Sequence, residues 1–581
     1  MDDKGVGHCS GVPRLISLPH YSHGTTDIRN GPVCPANLSN RASMVSLIPI
    51  FSYRSPIGER PRADDEPNMN AEAVATYAPQ AHTPFQRAMV LATITLSQTL
   101  YGMTFLMVAV VLPQIQGSLS ATQDQISWIV TLNILATAIM TPMAGWLSAT
   151  FGWRNVMIYC SLGFVISTVL CGTAESLEAM IFYRVLQGGF GAPMTPLGNA
   201  ILLDIYPKRQ HGTVTAIFGM GVVVGPILGP IFGGALSEIY DWRWAFYLII
   251  PISIVALIGL WTFLTDGGRN RNAHFDWAGF LSLSLAVTCL QLMLDRGERM
   301  DWFGSTEIIL EAAIGGLAFY LFVVHSLTAR RPFLNPRLLL DRNFSLGLII
   351  VFVYGMLNFT PMVLLPPMLK TLMDYPDSII GFLIACRGIG AVIGFFLAMW
   401  ISKLDPRIGM IIGFLVQALS GWMMMEFDVN VTNFEVAITS AMQGASVGLI
   451  WVPLVVATFA TLDRQFLAET TGIFHLLRNL GSSLFIAASV TVLVRTGRMS
   501  QAHLTEFISP FNEILVYPNL PQVWNIENLA GLAAMGGEIG RQAAMIGYIN
   551  AFGLYTLTCL AIVPLILFVR VPKRVRAGTA E

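Results

Sequence analysis

Three arginines stand where charge is least welcome: Arg184, Arg387 and Arg478 each lie inside a long apolar run. A guanidinium is a planar fork of donors that keeps its proton. In lipid each would cost about 2.5–3.5 kcal/mol or more at the midplane, so it must face a bundle interior or a cavity. Residues three apart share a helix face, which pairs Arg184 with Gln187 and His475 with Arg478, and Asn479 adds a further polar group. Each arginine either serves transport or ties helices together. Polar neighbours favour transport for Arg184, expected to face a central cavity, and for Arg478. Arg387, beside Gly388 and Gly390, fits both uses equally. His475 is either a titrating group, since an imidazole changes charge between pH 5 and 8, or a hydrogen-bonding link between helices. Glu469 heads the same run and is either a competing proton carrier or an interfacial acid at a helix N-terminus.

A second constellation is built from residues without side chains. Gly221, Gly225, Gly229 and Gly233 recur at i+4 and share one helix face, with Gly234 extending it. Such a stripe admits a second helix closely. Pro226 and Pro230 interrupt the backbone bonding and are expected to bend the helix. The coupled Gly-Pro pairs favour a dedicated hinge over plain packing. Literal enzyme motifs are set aside. Gly444-Ala445-Ser446-Val447-Gly448 fits G-x-S-x-G but lies within an apolar run rather than on a strand-to-helix turn. Gly219, Gly221 and Gly225 are mis-spaced for a dinucleotide fingerprint, and no Walker loop appears. The expectation is no enzyme, no cofactor, no metal, and no direct use of ATP.

The elements that position these residues follow from composition. Of 581 residues, 54% are hydrophobic and 12% charged, about half the charged share of a soluble domain. A net charge of −1 gives no field for nucleic acid. Cys160, Cys171, Cys289, Cys386 and Cys559 lie in apolar runs and Cys9 and Cys34 in the N-terminal arm, with no C-x-x-C pair. They read as buried small hydrophobes. Apolar runs of roughly 20 residues mark membrane spans. They fall at 88–113, 125–148, 155–172, 179–203, 212–236, 244–264, 277–294, 307–324, 344–369, 378–402, 408–425, 434–462, 469–494 and 546–568. The predicted fold is therefore all-α and polytopic, with about fourteen spans.

The spans repeat. Leu112-Pro113 closes the first as Leu365-Pro366 closes the ninth, and Trp146-Leu147-Ser148 is matched by Trp400-Ile401-Ser402. Gln187-Gly188 is echoed by Gln443-Gly444, each followed by a Pro-Leu pair. Three echoes in matching order predict duplicated six-span halves around two inserted spans, with substrate at the midplane between them. The segments are an N-terminal bundle at 84–264, the inserted pair at 265–327, and a C-terminal bundle at 328–570 containing a periplasmic loop at 496–545. Residues 1–83 are either a disordered cytoplasmic arm or precede a translation start at Met69, and 571–581 form a cytoplasmic tail. About sixteen basic residues flank one face against about seven on the other, which by the positive-inside rule makes the richer face and both termini cytoplasmic.

From about Pro84 the chain resembles the fourteen-span drug:proton antiporter branch of the major facilitator superfamily, the EmrB/QacA type. The segment from Arg184 to Gly188 is similar to that family's fourth-span motif, and the segment from Gly225 to Gly234 to its fifth-span antiporter motif. The resemblance is closer still to EmrB-like permeases at Met293-Leu294-Asp295-Arg296-Gly297, Asp301-Trp302-Phe303, Leu504-Thr505-Glu506 and Pro510-Phe511-Asn512. It implies a bacterial inner-membrane pump, driven by protons, that passes amphipathic toxic compounds to a periplasmic adaptor and an outer-membrane channel. Thr104 stands where the family carries a first-span Asp, and the loop from Gly145 to Arg154 lacks an acid. The proton carrier is therefore sought at His475, with Glu469 as competitor. An exporter of one metabolite, siderophore or lipid-like compound is the alternative on the same fold, and a membrane enzyme or receptor the remote one.

Overall fold

The computed structural model describes residues 83–265, 275–330, 332–401, 405–462, 466–509, 511–512, 524 and 528–570. The expected N-terminal arm to residue 82, the C-terminal tail and the middle of the expected outer loop lie outside them. Helices begin where a side-chain oxygen can satisfy the first orphan amides. Thr83, Thr122 and Thr432 form reciprocal capping boxes with Gln86, Gln125 and Glu435. Ser176, Asp241, Asp276, Asp341, Asp405 and Asn528 cap five other long helices and the shorter Leu177–Gly191.

The order is α1 (Pro84–Ser118), α2 (Gln123–Met140) continued by α3 (Ala144–Phe151), α4 (Trp153–Gly172), α5 (Leu177–Gly191) and α6 (Met194–Ile205). Then come α7 (His211–Ile239), α8 (Trp242–Phe263), α9 (Trp277–Arg296), α10 (Thr306–Thr328), α11 (Arg342–Met373) and α12 (Asp377–Ile401). The last are α13 (Pro406–Met425), α14 (Asn433–Phe459), α15 (Leu467–Thr505), α16 (Leu529–Ala561) and the short α17 (Val563–Ile566). Among the described residues, thirteen helical stretches are long and apolar enough to cross a bilayer. The fourteenth, expected at 179–203, is made by α5 and α6 together. Pro193 divides them because it lacks the N–H that would continue the helix. Gly152, at φ 82°, takes the sharp turn between α3 and α4 that a side chain would resist.

Some helices outrun their apolar cores. α1 continues past Pro113, and α11 past Pro366, because a backbone left unbonded in lipid costs more than one lost hydrogen bond. α7 likewise stays helical through Pro226 and Pro230. α15 extends to Thr505 and α16 starts at Leu529, so both ends of the segment expected as an outer loop are helical. Apolar length reports where lipid ends, not where the helix does. The protruding turns are held by contacts: Arg541 pairs with Glu538 and donates to the Leu372 carbonyl at 3.2 Å.

Among the described residues two large hydrophobic cores form, and a small third cluster of Ala138, Leu283, Val287, Phe322 and Leu476 seats α9 and α10. One large core gathers residues between Val90 and Leu264, the other residues between Leu338 and Val569 with Ala200, Leu203 and Ala216. α9 and α10 expose Leu281, Leu285, Leu310, Leu317 and Phe319, an apolar surface suited to lipid. The pair is pinned at both ends. At one, Thr131 donates to Asp295 at 2.5 Å and Arg296 lies 5.5 Å from the Trp128 ring. At the other, the Trp146 and Phe275 rings are 4.4 Å apart, and Asp276 accepts from Gly279 N, His325 Nε2 and Phe333 N at 3.0, 2.8 and 2.9 Å. Burial pushes the Asp276 carboxyl up, but these donors together outweigh it and hold the group below the ordinary carboxylate value.

Candidate transport site

The glycine stripe on α7 faces α1. A Cβ on Gly221 would strike Thr95, one on Gly225 the Thr99 carbonyl, one on Gly229 the Met103 carbonyl at 2.5 Å, and one on Gly233 the Met107 side chain at 2.6 Å. Four successive turns of α7 thus meet four successive turns of α1, backbone to backbone at Gly225 and Gly229 and against side chains at Gly221 and Gly233. Gly234 also meets α1, but only at ordinary contact distance, 3.6 Å from Val110. The Pro226 ring lies against Gly102 on the same seam. Thr104, on α1, is buried and spends its hydroxyl on the Tyr101 carbonyl of its own helix at 2.7 Å.

Arg184 lies inside the N-terminal core, 1% exposed. Its guanidinium donates to Gln187 Oε1, Gln187 Nε2 donates on to Thr168 at 2.8 Å, and Asn133 donates to the Arg184 carbonyl at 2.7 Å. The chain of bonds joins α2, α4 and α5. Arg387 on α12 makes the corresponding contact in the other half, reaching across to Gln443 of the echoed Gln-Gly pair at 2.9 Å. It also clamps Asn358 through the carbonyl at 2.5 Å and the side-chain oxygen at 2.8 Å. The backbones match too: a Cβ on Gly188 would meet the Asn133 carbonyl, and one on Gly444 the Arg387 carbonyl. In each half an arginine therefore bonds the glutamine of the pair, from the same helix in one and from the facing helix in the other.

Arg478 on α15 donates to Asn479 at 3.1 and 3.3 Å and lies 5.6 Å from the Trp451 ring centre. His475, one turn earlier, lies against the same ring, tilted 53° with centroids 5.7 Å apart. It is 1% exposed, and neither ring nitrogen has a hydrogen-bond partner. Glu469, in the first turn of α15, accepts from Asn335 N at 2.9 Å and lies against Gly145, whose Cβ would fall 2.9 Å from the Glu469 Cα. The Lys208 ammonium donates to the Ala460 carbonyl at 3.3 Å on the same face. The two halves touch there.

Deeper in, the halves leave a cavity. Gly219, Val222, Val223, Pro226 and Ile227 of α7 form one wall; Tyr354, Asn358, Phe359 and Met362 of α11 form another; Arg387, Phe395, Trp451 and Arg478 complete it. Its empty space is about 470 Å³, part of it open to solvent. Two of the three arginines singled out by the sequence therefore line it. Arg184 is not among its lining residues, because its own helix turns it into the core toward Gln187. Tyr354, Asn358 and Trp451 had no signal in the sequence beyond lying in apolar runs. Gln443 had one, the repeated Gln-Gly pair.

A family model described as the Major Facilitator Superfamily matches residues 94–486. The multidrug export protein EmrB of Haemophilus influenzae is 32% identical over 472 residues, 80% of this chain and 92% of that protein. The protein of the same name from Escherichia coli K12 is 32% identical over 406 residues, 69% of this chain and 79% of that one. Among solved structures, the human organic anion transporter MFSD10 (TETRAN) superposes with a TM-score of 0.55 at 13% identity, over 82% of this chain and 100% of that one. That last likeness is one of fold.

Proposed function

The chain belongs to the major facilitator superfamily as an EmrB-like permease, and from that premise we propose that it is a proton-driven exporter of amphipathic toxic compounds in a bacterial inner membrane. The observation that carries the reading is the cavity between the two halves, apolar on the α7 wall and polar at Arg387 and Arg478. An amphipathic solute needs both surfaces. In this reading both termini and the face bearing Glu469, Lys208 and Gly145 are cytoplasmic. The Gly145–Glu469 contact and the Lys208–Ala460 bond then close that face while the cavity is loaded or emptied from the other.

Roles follow from position. The α1–α7 seam is the hinge, because close-packed backbones can rock without displacing side chains. Arg387 and Arg478 contact substrate, while Arg184 with Gln187 holds α2, α4 and α5 in register. His475 is the proton carrier: a buried imidazole with two unpartnered nitrogens has a place for a proton and no competing bond. Thr104 is satisfied within α1 and carries none. The permease would deliver its cargo to a periplasmic adaptor and an outer-membrane channel, as the EmrB resemblance implies. Expression in a pump-deficient bacterium tests the export reading. Susceptibility to amphipathic drugs should fall severalfold, and alkaline phosphatase fused within 506–527 should be active but dead when fused near Arg330. Unchanged susceptibility across a broad panel would remove the multidrug reading.

A further inference from the structure

The three arginines inside the bundle share one property that export of amphipathic compounds does not explain: none has a carboxylate. Ion pairs form at Arg243–Asp241, Arg296–Glu307, His325–Asp276, His503–Glu506 and Arg541–Glu538, and none of these lies in the cavity. Arg387 is 3% exposed and meets only the neutral oxygens of Gln443 and Asn358. Arg478 meets only Asn479 and the Trp451 ring. A guanidinium has five N–H donors, more than either side chain finds acceptors for here. No Asp or Glu lines the cavity.

Buried charge of one sign with no counter-ion is among the costliest arrangements a protein can hold, and more so within a membrane. A site built this way attracts the opposite charge and rejects its own. We propose that the cavity selects amphipathic anions: an acid group bound by the forks of Arg387 and Arg478, and an apolar tail along Val222, Ile227, Phe359 and Met362. The two guanidiniums suit a carboxylate or sulfonate, which a planar fork engages through paired bonds. A quaternary ammonium of the same length meets two positive charges and no acceptor of its sign. The Asn358 and Gln443 side chains keep Arg387 aimed when the site is empty. This proposal rests on the export reading and narrows it to one charge class.

Direct binding tests it without transport. The full-length protein in nanodiscs of zwitterionic lipid is titrated with 11-(dansylamino)undecanoate, against empty nanodiscs. Decanoate and decyltrimethylammonium then compete for the site. Saturable dansyl emission, displaced by decanoate and not by the ammonium, is the expected result. Arg478→Gln should weaken binding roughly 10-fold or more, the scale of one lost charge-assisted bond of about 1.5–3 kcal/mol, and Arg478→Lys should weaken it less. Arg387→Gln should act in the same direction. Arg478, only half buried, keeps the test open if that variant fails to fold. Displacement by the ammonium as strong as by decanoate, wild-type binding in Arg478→Gln, or no saturable binding would each overturn the anion site. If the cell still exports cationic drugs in those cases, export stands and only the charge class falls. Anion binding in a protein that leaves drug susceptibility unchanged would do the reverse.

Discussion

Arg184 and Arg387 illustrate how one residue type takes two jobs. Arg184 donates to Gln187 on its own helix, its buried Nε has no hydrogen-bond partner, and Asn133 holds its backbone, so it serves internal order rather than the cavity. Arg387 reaches from α12 to α11 and α14 and still borders the cavity. Replacing Arg184 with lysine should therefore lower transport roughly 10-fold while insertion is kept. A single ammonium cannot occupy Gln187 with the fork's geometry, and losing one charged hydrogen bond costs about 1.5–3 kcal/mol. The check is transport normalised to the amount of protein in the membrane. Full activity in Arg184→Ala would reduce the residue to a tolerated charge. Spacing in the sequence made the Arg184–Gln187 pair legible, because partners three apart on a helix need no tertiary knowledge. Arg387 could not be resolved that way. Its acceptors come from α11 and α14, and asparagine and glutamine carry no label that names their partner.

At the scale of elements, the α1–α7 seam is where sequence and structure say most about each other. Four glycines at i+4 have a single geometric consequence, a bare face, and α1 occupies it with Thr95, Thr99, Met103 and Met107 in the same register. Gly225→Leu should abolish transport at normal expression, since its Cβ would fall on the Thr99 carbonyl, which is backbone and cannot move aside. Gly234→Ala is the control and should leave transport within about twofold, because a Cβ there would make only an ordinary contact, 3.6 Å from Val110. Efflux comparing the two variants decides whether the seam or mere apolarity matters. Helix number was legible too, because lipid imposes its own length on every span. Helix ends were less so. α15 and α16 continue beyond the lipid-matched stretch on contacts, such as Arg541 to Leu372, that no apolar count can register.

At the scale of the whole molecule, two large cores touch near Gly145 and Glu469 and part around a cavity bordered by Arg387 and Arg478. Duplication of the Gln-Gly pair made the two halves visible in the sequence, but not the cavity between them, whose walls come from five helices distant in the chain. What drives the halves past one another is the central claim. The first span contributes Thr104, already bonded to Tyr101, and Glu469 accepts from Asn335, so the proposed proton coupling is assigned to His475, whose ring nitrogens have no hydrogen-bond partner. Proteoliposomes containing the purified permease, with an imposed pH gradient and an amphipathic fluorescent substrate, measure this most directly. Wild type should accumulate substrate uphill and lose that ability when the gradient is collapsed. His475→Gln should keep downhill movement and lose the uphill component, while Glu469→Gln should retain both. Transport by the wild type that ignores the gradient would contradict proton coupling, and full uphill transport by His475→Gln would contradict the histidine as its carrier.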